Sequence, residues 1–221
     1  GYPGTPSTEI LEAFSSMPGI YAEWSINEKV ALEAATGASL AGVRSLVTMK
    51  HVGLNVALDA YVTLAYTGIN GGLVLACADD PGQHSSQNEQ DSRALGKFAM
   101  TPVLEPSDSR EARDFTKMAF DISEEYDIPV MLRLTTRTAH SKSVVEIDSE
   151  MVYKKAKKQA SVPWDKYVMM PLNAKKRRAV IVAKQETLKK LAETVKINVE
   201  EGGSGEFGFV TAGAAYGYVK E

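Results

Sequence analysis

The sequence predicts an α/β fold: a parallel sheet with helices on both faces. Two observations carry this reading. Over the first 140 residues, short apolar runs alternate with helical runs. The apolar runs are SLVTMK (45–50), GGLVLACA (71–78), PVLEP (102–106) and IPVMLRL (128–134). They are hydrophobic nearly throughout rather than at every second position, as strands covered on both faces are. A third observation sets where a site would lie. The second run is followed by DDPGQHSSQNEQDSR (79–93), a polar loop too long to be a simple connection.

Each element has a local reason. Thr5-Pro6-Ser7 leads into a helix from Thr8 to about Ser15. Ser25-Ile-Asn-Glu28 fits the S-x-x-E capping box, in which Ser25 caps the helix and Glu28 reaches back to the Ser25 amide. The helix formers that follow predict a helix from about Asn27 to Leu40. Ala31, Ala34, Ala35, Ala38, Ala41 and Gly42 leave one of its faces nearly bare, open to another backbone or to a flat ligand. Glu28 is therefore either a cap residue or a chemical group. Ser45–Lys50 reads as a strand, HVGLN (51–55) as a turn and 55–66 as an apolar helix. Asp108 and Glu111 cap a helix that runs to about Tyr126.

Beyond residue 140 the pattern weakens. KKAKKQ (154–159) and NAKKRRAV (173–180) are strongly basic and read as a solvated linker. Lys184–Val195 reads as a polar helix and EEGGSGE (200–206) as a flexible connection. FGFVTAGAAYGYVKE (207–221) reads as a strand followed by the start of a helix. Both ends look cut from a longer polypeptide. Charge divides at the same place. Residues 1–150 hold 11 basic and 21 acidic residues, a net −10, whereas 151–221 hold 14 and 7, a net +7.

Composition excludes several classes. The 221 residues are 44% hydrophobic and 24% charged, which suits a globular chain with a sizeable core. No apolar run is long enough to cross a membrane. Cys77 is the single cysteine, so a disulfide framework is excluded and a reducing cytoplasm is the expected compartment. It lies in an apolar run, which predicts a buried, inert thiol. One cysteine and three scattered histidines give no zinc spacing. GASLAG (37–42) lacks the G-x-S-x-G register, and GINGG (68–72) precedes a strand instead of following one. The basic stretch lacks an aromatic stacking series, so no nucleic-acid partner is expected.

In open parallel sheets ligands bind beyond the carboxyl ends of the strands. Residues 51–55, 79–93 and 135–143 follow strands in this way. This position makes His51 and His84 catalytic candidates. It makes Lys50, Gly53 and Asn55 candidates for holding a cofactor. No residue is a metal-ligand candidate.

Several strings then carry a resemblance: GYPGTPSTEILE (1–12), EWSINEKVALEAATGASLAGVRSLVTMKHVGLN (23–55), GINGGLVLACADDPGQHSSQNEQDSR (68–93) and EPSDSREA (105–112). Together they resemble the indolepyruvate branch of the thiamine-diphosphate-dependent 2-oxoacid:ferredoxin oxidoreductases, strongly over residues 1–140 and more loosely over 165–221. The resemblance implies a pyrimidine-binding thiamine-diphosphate domain at 1–140, a basic linker region at 141–202, and at 203–221 the start of a transketolase C-terminal-like domain. It implies that Glu28 hydrogen-bonds the aminopyrimidine ring and that Thr5 contacts the substrate carboxylate. The implied reaction decarboxylates aryl 2-oxoacids oxidatively, with coenzyme A taking the acyl group. Electrons pass through iron–sulfur clusters to ferredoxin, and a beta subunit is the implied partner. The family's G-D-G…N-N motif, which holds magnesium and diphosphate, does not occur in this sequence, nor does a cysteine cluster. The resemblance therefore places the magnesium and the clusters in other parts of the enzyme, and implies that this portion does not turn over alone. Two other readings compete. One keeps the enzyme class with pyruvate or 2-oxoglutarate as substrate. The other is a non-catalytic α/β module whose basic segment binds an acidic partner.

Overall fold

The computed structural model describes residues 1–146, 163–203 and 205–221; the basic run at 154–159 lies outside them. The elements are α1 (Thr8–Ser15), α2 (Glu28–Leu40), β1 (Ser45–Lys50), α3 (His51–Thr67), β2 (Leu73–Asp79), α4 (Ser92–Ala99), β3 (Val103–Leu104), α5 (Ser109–Tyr126), β4 (Val130–Thr135), α6 (Thr136–His140), α7 (Trp164–Tyr167), α8 (Pro171–Thr194) and α9 (Ala215–Lys220). The four strands form one all-parallel sheet in the order β1-β2-β4-β3.

Helices cover both faces, and the pleat decides which residue meets which. On one side Val47, Met49, Leu73, Leu75, Cys77 and Met131 pack under α2, α3 and α4 through Leu32, Leu54, Tyr61, Leu64 and Ala99. On the other, Val74, Ala78, Val130, Leu132 and Leu134 pack under α5 through Phe115, Ala119 and Ile122. Cys77 is fully buried, as expected, and burial pushes its thiol up, away from the reactive thiolate.

Five local expectations change. The α2 cap is Asn27, whose side-chain oxygen accepts from the Val30 amide. Ser25 lies two residues before the cap, and its amide donates to the Gly1 carbonyl rather than to Glu28. HVGLN is not a turn: α3 begins at His51, directly after β1. A helix not anticipated, α4, follows the polar loop; Asp91 caps it through the Arg93 amide. The polar helix expected from Lys184 starts at Pro171, so the basic run 173–180 is helical and packed against α3. Residues 207–211 form no strand, and Phe207, Phe209 and Val210 are exposed. The α5 caps, Asp108 and Glu111, are as anticipated. No helix among the described residues is long and apolar enough to cross a membrane.

α8 docks through charge as well as through Ile181. Its Arg177 and Lys184, together with Lys166 of α7, converge on Asp127 at the α5–β4 corner. Asp127 also accepts the Ile69 amide. Burial lowers the Lys184 pKa, against the opposing pull of Asp127.

The carboxyl edge of the sheet is held by a charged cluster. Arg133 on β4 is 6% exposed; its Nε lies 2.7 Å from the Asp79 carboxylate of β2, and its Nη1 donates to Glu105 beyond β3. The Asp79 carboxylate also accepts the Ser92 amide at the start of α4. Removing one member of a buried pair strands the other charge. Arg133→Met should therefore lower the unfolding free energy by about 3–5 kcal/mol in urea titrations; a loss under about 1 kcal/mol would show that the cluster does not hold the edge.

Candidate active site

The sheet topology brings the anticipated residues to one edge. β1 ends at Lys50 and β2 at Asp79, and the loop 80–91 springs from the latter. The segment before α1 lies along β1: the Tyr2 amide donates to the Thr48 carbonyl at 3.1 Å. This places Thr5, exposed, beside the same edge, where its carbonyl accepts from the Ser85 hydroxyl at 3.4 Å.

Glu28 arrives from the other direction. α2 and α3 lie side by side, and each starts at the carboxyl edge. Because Asn27 is the cap, Glu28 is the first helical residue and cannot close a capping box. Its carboxylate instead lies against Gly53 on the first turn of α3. A Cβ at Gly53 would stand 2.4 Å from Oε1 of Glu28 and 2.5 Å from its Cγ. Glycine is thus required at 53 by close approach, not by backbone conformation. The first turn of α3 presents the positive end of the helix dipole, which favours a carboxylate there. Glu28 is half-buried and makes no hydrogen bond or ion pair among the described residues.

Lys50 and His51 turn the other way, into the loop. The Lys50 ammonium donates to the Ser85 carbonyl at 2.8 Å and reaches the Ser85 hydroxyl at 3.3 Å. His51 is fully buried; its Nε2 lies 3.0 Å from the Asn88 carbonyl, so that nitrogen carries the proton and donates. Its Nδ1 is buried without a partner. His84 is exposed on the loop. Asn55 is exposed on α3.

Sequence reasoning missed Asp80, which organises the loop from within. It is 1% exposed, and its carboxylate accepts the Ser85 amide at 2.8 Å, the His84 amide at 3.3 Å, the Ser86 hydroxyl at 2.5 Å and the Thr136 hydroxyl at 2.7 Å. Burial alone would raise its pKa. The Ser86, Ser85, Thr136 and His84 donors outweigh burial and hold the carboxyl well below the usual carboxylate range. The doublet Asp79-Asp80 at a strand end was the available signal: one carboxylate faces Arg133, the other the loop. Among the described residues no cluster of His, Cys, Asp and Glu could hold a metal ion.

Comparisons with known proteins give the family. Residues 1–200 match the family described as pyruvate flavodoxin/ferredoxin oxidoreductase, thiamine-diphosphate-binding. The chain belongs to this family. It is 44% identical to the indolepyruvate oxidoreductase subunit IorA of Archaeoglobus fulgidus over its whole length, and 45% identical over 99% of its length to that of Methanothermobacter marburgensis. The chain spans 36% of the length of these relatives. It is 27% identical, over 76% of its length and 47% of the relative's, to the 2-oxoglutarate synthase subunit KorA of Methanothermobacter thermautotrophicus. Among solved structures, a 2-oxoglutarate:ferredoxin oxidoreductase from Magnetococcus marinus superposes with a TM-score of 0.64 at 18% identity. The match covers 93% of this chain and 43% of that one, and that structure has 2-oxoglutarate, coenzyme A and succinyl-CoA bound. The likeness shows a shared fold.

Two outcomes follow from the geometry itself. Gly53→Ala drives a methyl into the Glu28 carboxylate and should cost about 1–3 kcal/mol. The double variant with Glu28→Ala should recover most of that loss in a double-mutant cycle, and strict additivity would refute the contact. Asp80 is the pH-sensitive member. A carboxyl whose folded pKa is depressed contributes stability that is complete above its unfolded value, 3.8, and is lost as pH falls below it. Asp80→Asn should therefore flatten the decline in unfolding free energy below about pH 4. An unchanged slope would show that Asp80 is not the group responsible.

Proposed function

We propose that this chain is the pyrimidine-holding part of an indolepyruvate:ferredoxin oxidoreductase, which decarboxylates indolepyruvate and other aryl pyruvates oxidatively to acyl-coenzyme A and reduces ferredoxin. The observation that carries the reading is the Glu28 carboxylate, unpaired and seated against Gly53 at the carboxyl edge. The match to the indolepyruvate relatives along the whole chain supports the substrate class.

The residues fit thiamine diphosphate at one end only. Glu28 offers an acceptor without a competing donor among the described residues, held at the first turn of α3 by its seat on Gly53. When bound, the cofactor supplies the electron sink that lets a 2-oxoacid lose carbon dioxide. Glu28 would hold the proton of the aminopyrimidine ring nitrogen. A carboxylate so placed orients the ring and polarises its exocyclic amine without touching the substrate. Thr5 stands at the substrate end of the edge. Diphosphate and magnesium fall to another part of the enzyme, since no acidic cluster for a cation exists among the described residues. Iron–sulfur clusters, a beta subunit and the ferredoxin contact also lie outside this chain on this reading. The division into a pyrimidine domain at 1–140, a basic region at 141–202 and the start of a further domain at 203–221 belongs to the same proposal.

In the complete enzyme, Glu28→Gln keeps the shape and a hydrogen-bonding group but removes the acid–base function. It should lower kcat by at least about 100-fold with every 2-oxoacid. Turnover near that of the unaltered enzyme would remove Glu28 from the mechanism. Comparing kcat/KM for indolepyruvate, pyruvate and 2-oxoglutarate in the unaltered enzyme tests the substrate. A preference for either of the smaller acids would move the assignment within the family.

A further inference from the structure

The polar loop 80–91 is fastened from both sides, and the fastening uses residues that position alone had marked for ligand contact. Ser85 is the pivot. Its amide donates to Asp80 and its carbonyl accepts from Lys50, so a single residue bridges two buried, oppositely charged groups. Three residues on, the Asn88 carbonyl accepts from His51. Lys50 and His51 are consecutive, and they join β1 to α3. The same first turn of α3 carries Gly53, against which Glu28 sits. From the loop, the Ser85 hydroxyl reaches on to the Thr5 carbonyl. Two turns of connection thus tie the Glu28 seat, the loop bearing His84 and the segment bearing Thr5 into one unit.

We propose that Lys50 and His51 are positioning residues. They do not touch ligand; they latch the 80–91 loop across the carboxyl edge so that His84, Ser85 and Thr5 form one fixed wall there. The wall governs how the substrate is accommodated, whereas Glu28 serves the cofactor end. The inference rests on the proposed thiamine-dependent reading for the identity of the ligand; the latch rests on the hydrogen bonds alone. The energetics favour a latch. The 12-residue stretch from Asp80 to Asp91 has no helix or strand; Asp80 gathers its first half from within, and Lys50 and His51 tie it to the sheet edge. Ordering it costs conformational entropy at each residue, and the buried Lys50 and His51 donors, the first of them charge-assisted, offset part of that cost. Both donors sit on rigid elements, which makes their positions precise.

The test uses the full-length chain assembled with the rest of its enzyme. Lys50→Met keeps the aliphatic stem and removes the donor. His51→Leu removes the ring donor; His51→Gln replaces it with an amide that can reach the same carbonyl. Hydrogen–deuterium exchange is followed at residues 80–91, with thiamine diphosphate affinity by titration calorimetry and KM for the 2-oxoacid. The expected result is about tenfold faster exchange of the loop in Lys50→Met and His51→Leu. A several-fold rise in 2-oxoacid KM should accompany it, with cofactor affinity held within about twofold. His51→Gln should restore both readouts towards the original. Unchanged exchange in Lys50→Met and His51→Leu overturns the latch. So does a loss of cofactor affinity that matches the loss in KM, because it would put the two side chains on the cofactor. Failure of the thiamine reading shows separately: Glu28→Gln would then leave turnover intact whatever the loop does. If His51→Leu does not fold, the Lys50→Met and His51→Gln measurements still decide the matter.

Discussion

The buried pairing of Arg133 with Asp79 is the constraint from which the site follows. Parallel strands have no tight turns to fix their ends. At this edge β4, β2 and the residue after β3 are held together by one guanidinium, with Asp91 and Arg93 completing the cluster at its exposed rim. A guanidinium suits the task because it is always charged and presents several donors in a fixed plane. With the Asp79 side chain turned to Arg133 and to the start of α4, the next residue, Asp80, is turned to the loop. The loop's direction is therefore set by the sheet before any of its own residues contribute.

The second constraint is steric. α2 and α3 run side by side from the same edge, and their separation depends on small residues. Ala31 and Ala35 of α2 pack into the core against α3. Gly53 lets the Glu28 carboxylate lie directly on the backbone of α3. Tight helix packing and an approach path for a flat ring had looked like alternatives for the bare face of α2. The structure shows the packing, and that packing carries the carboxylate to the edge. A larger residue at 53 would meet Glu28 first.

The strands were legible because burial on both faces leaves an unmistakable apolar run. The candidate edge followed from their parallel order. The boundaries that failed did so for identifiable reasons. HVGLN looks like a turn because it contains a glycine and follows a strand without a polar cap; Lys50 occupies the cap position with no side-chain cap bond. Gly53 is there for Glu28, a tertiary demand that no local pattern announces. The capping box at Ser25 failed because an earlier segment of chain claimed the Ser25 amide. The basic run 173–180 read as linker because its partner, Asp127, lies some fifty residues away in sequence. The 207–211 run has the residue types of a strand but pairs with no strand among the described residues.

Lys50 and Asp80 show why strand-end position marks a region more reliably than it assigns a role. Both are charged, and both are almost excluded from solvent, at 8% and 1% exposed. Neither has an ion-pair partner among the described residues. Desolvating either alone is costly. The cost is offset because both charges act on Ser85, one at its amide and one at its carbonyl, so the peptide dipoles on either side of Ser85 align between them. Fixed charges of this kind help to order a polar loop at a sheet edge. The residue types that a sequence offers as catalytic candidates are therefore the same types that hold the loop still. Only the partners of each side chain separate the two uses: Glu28, seated against Gly53, makes no hydrogen bond or ion pair among the described residues, whereas Lys50 and His51 are spent on the loop.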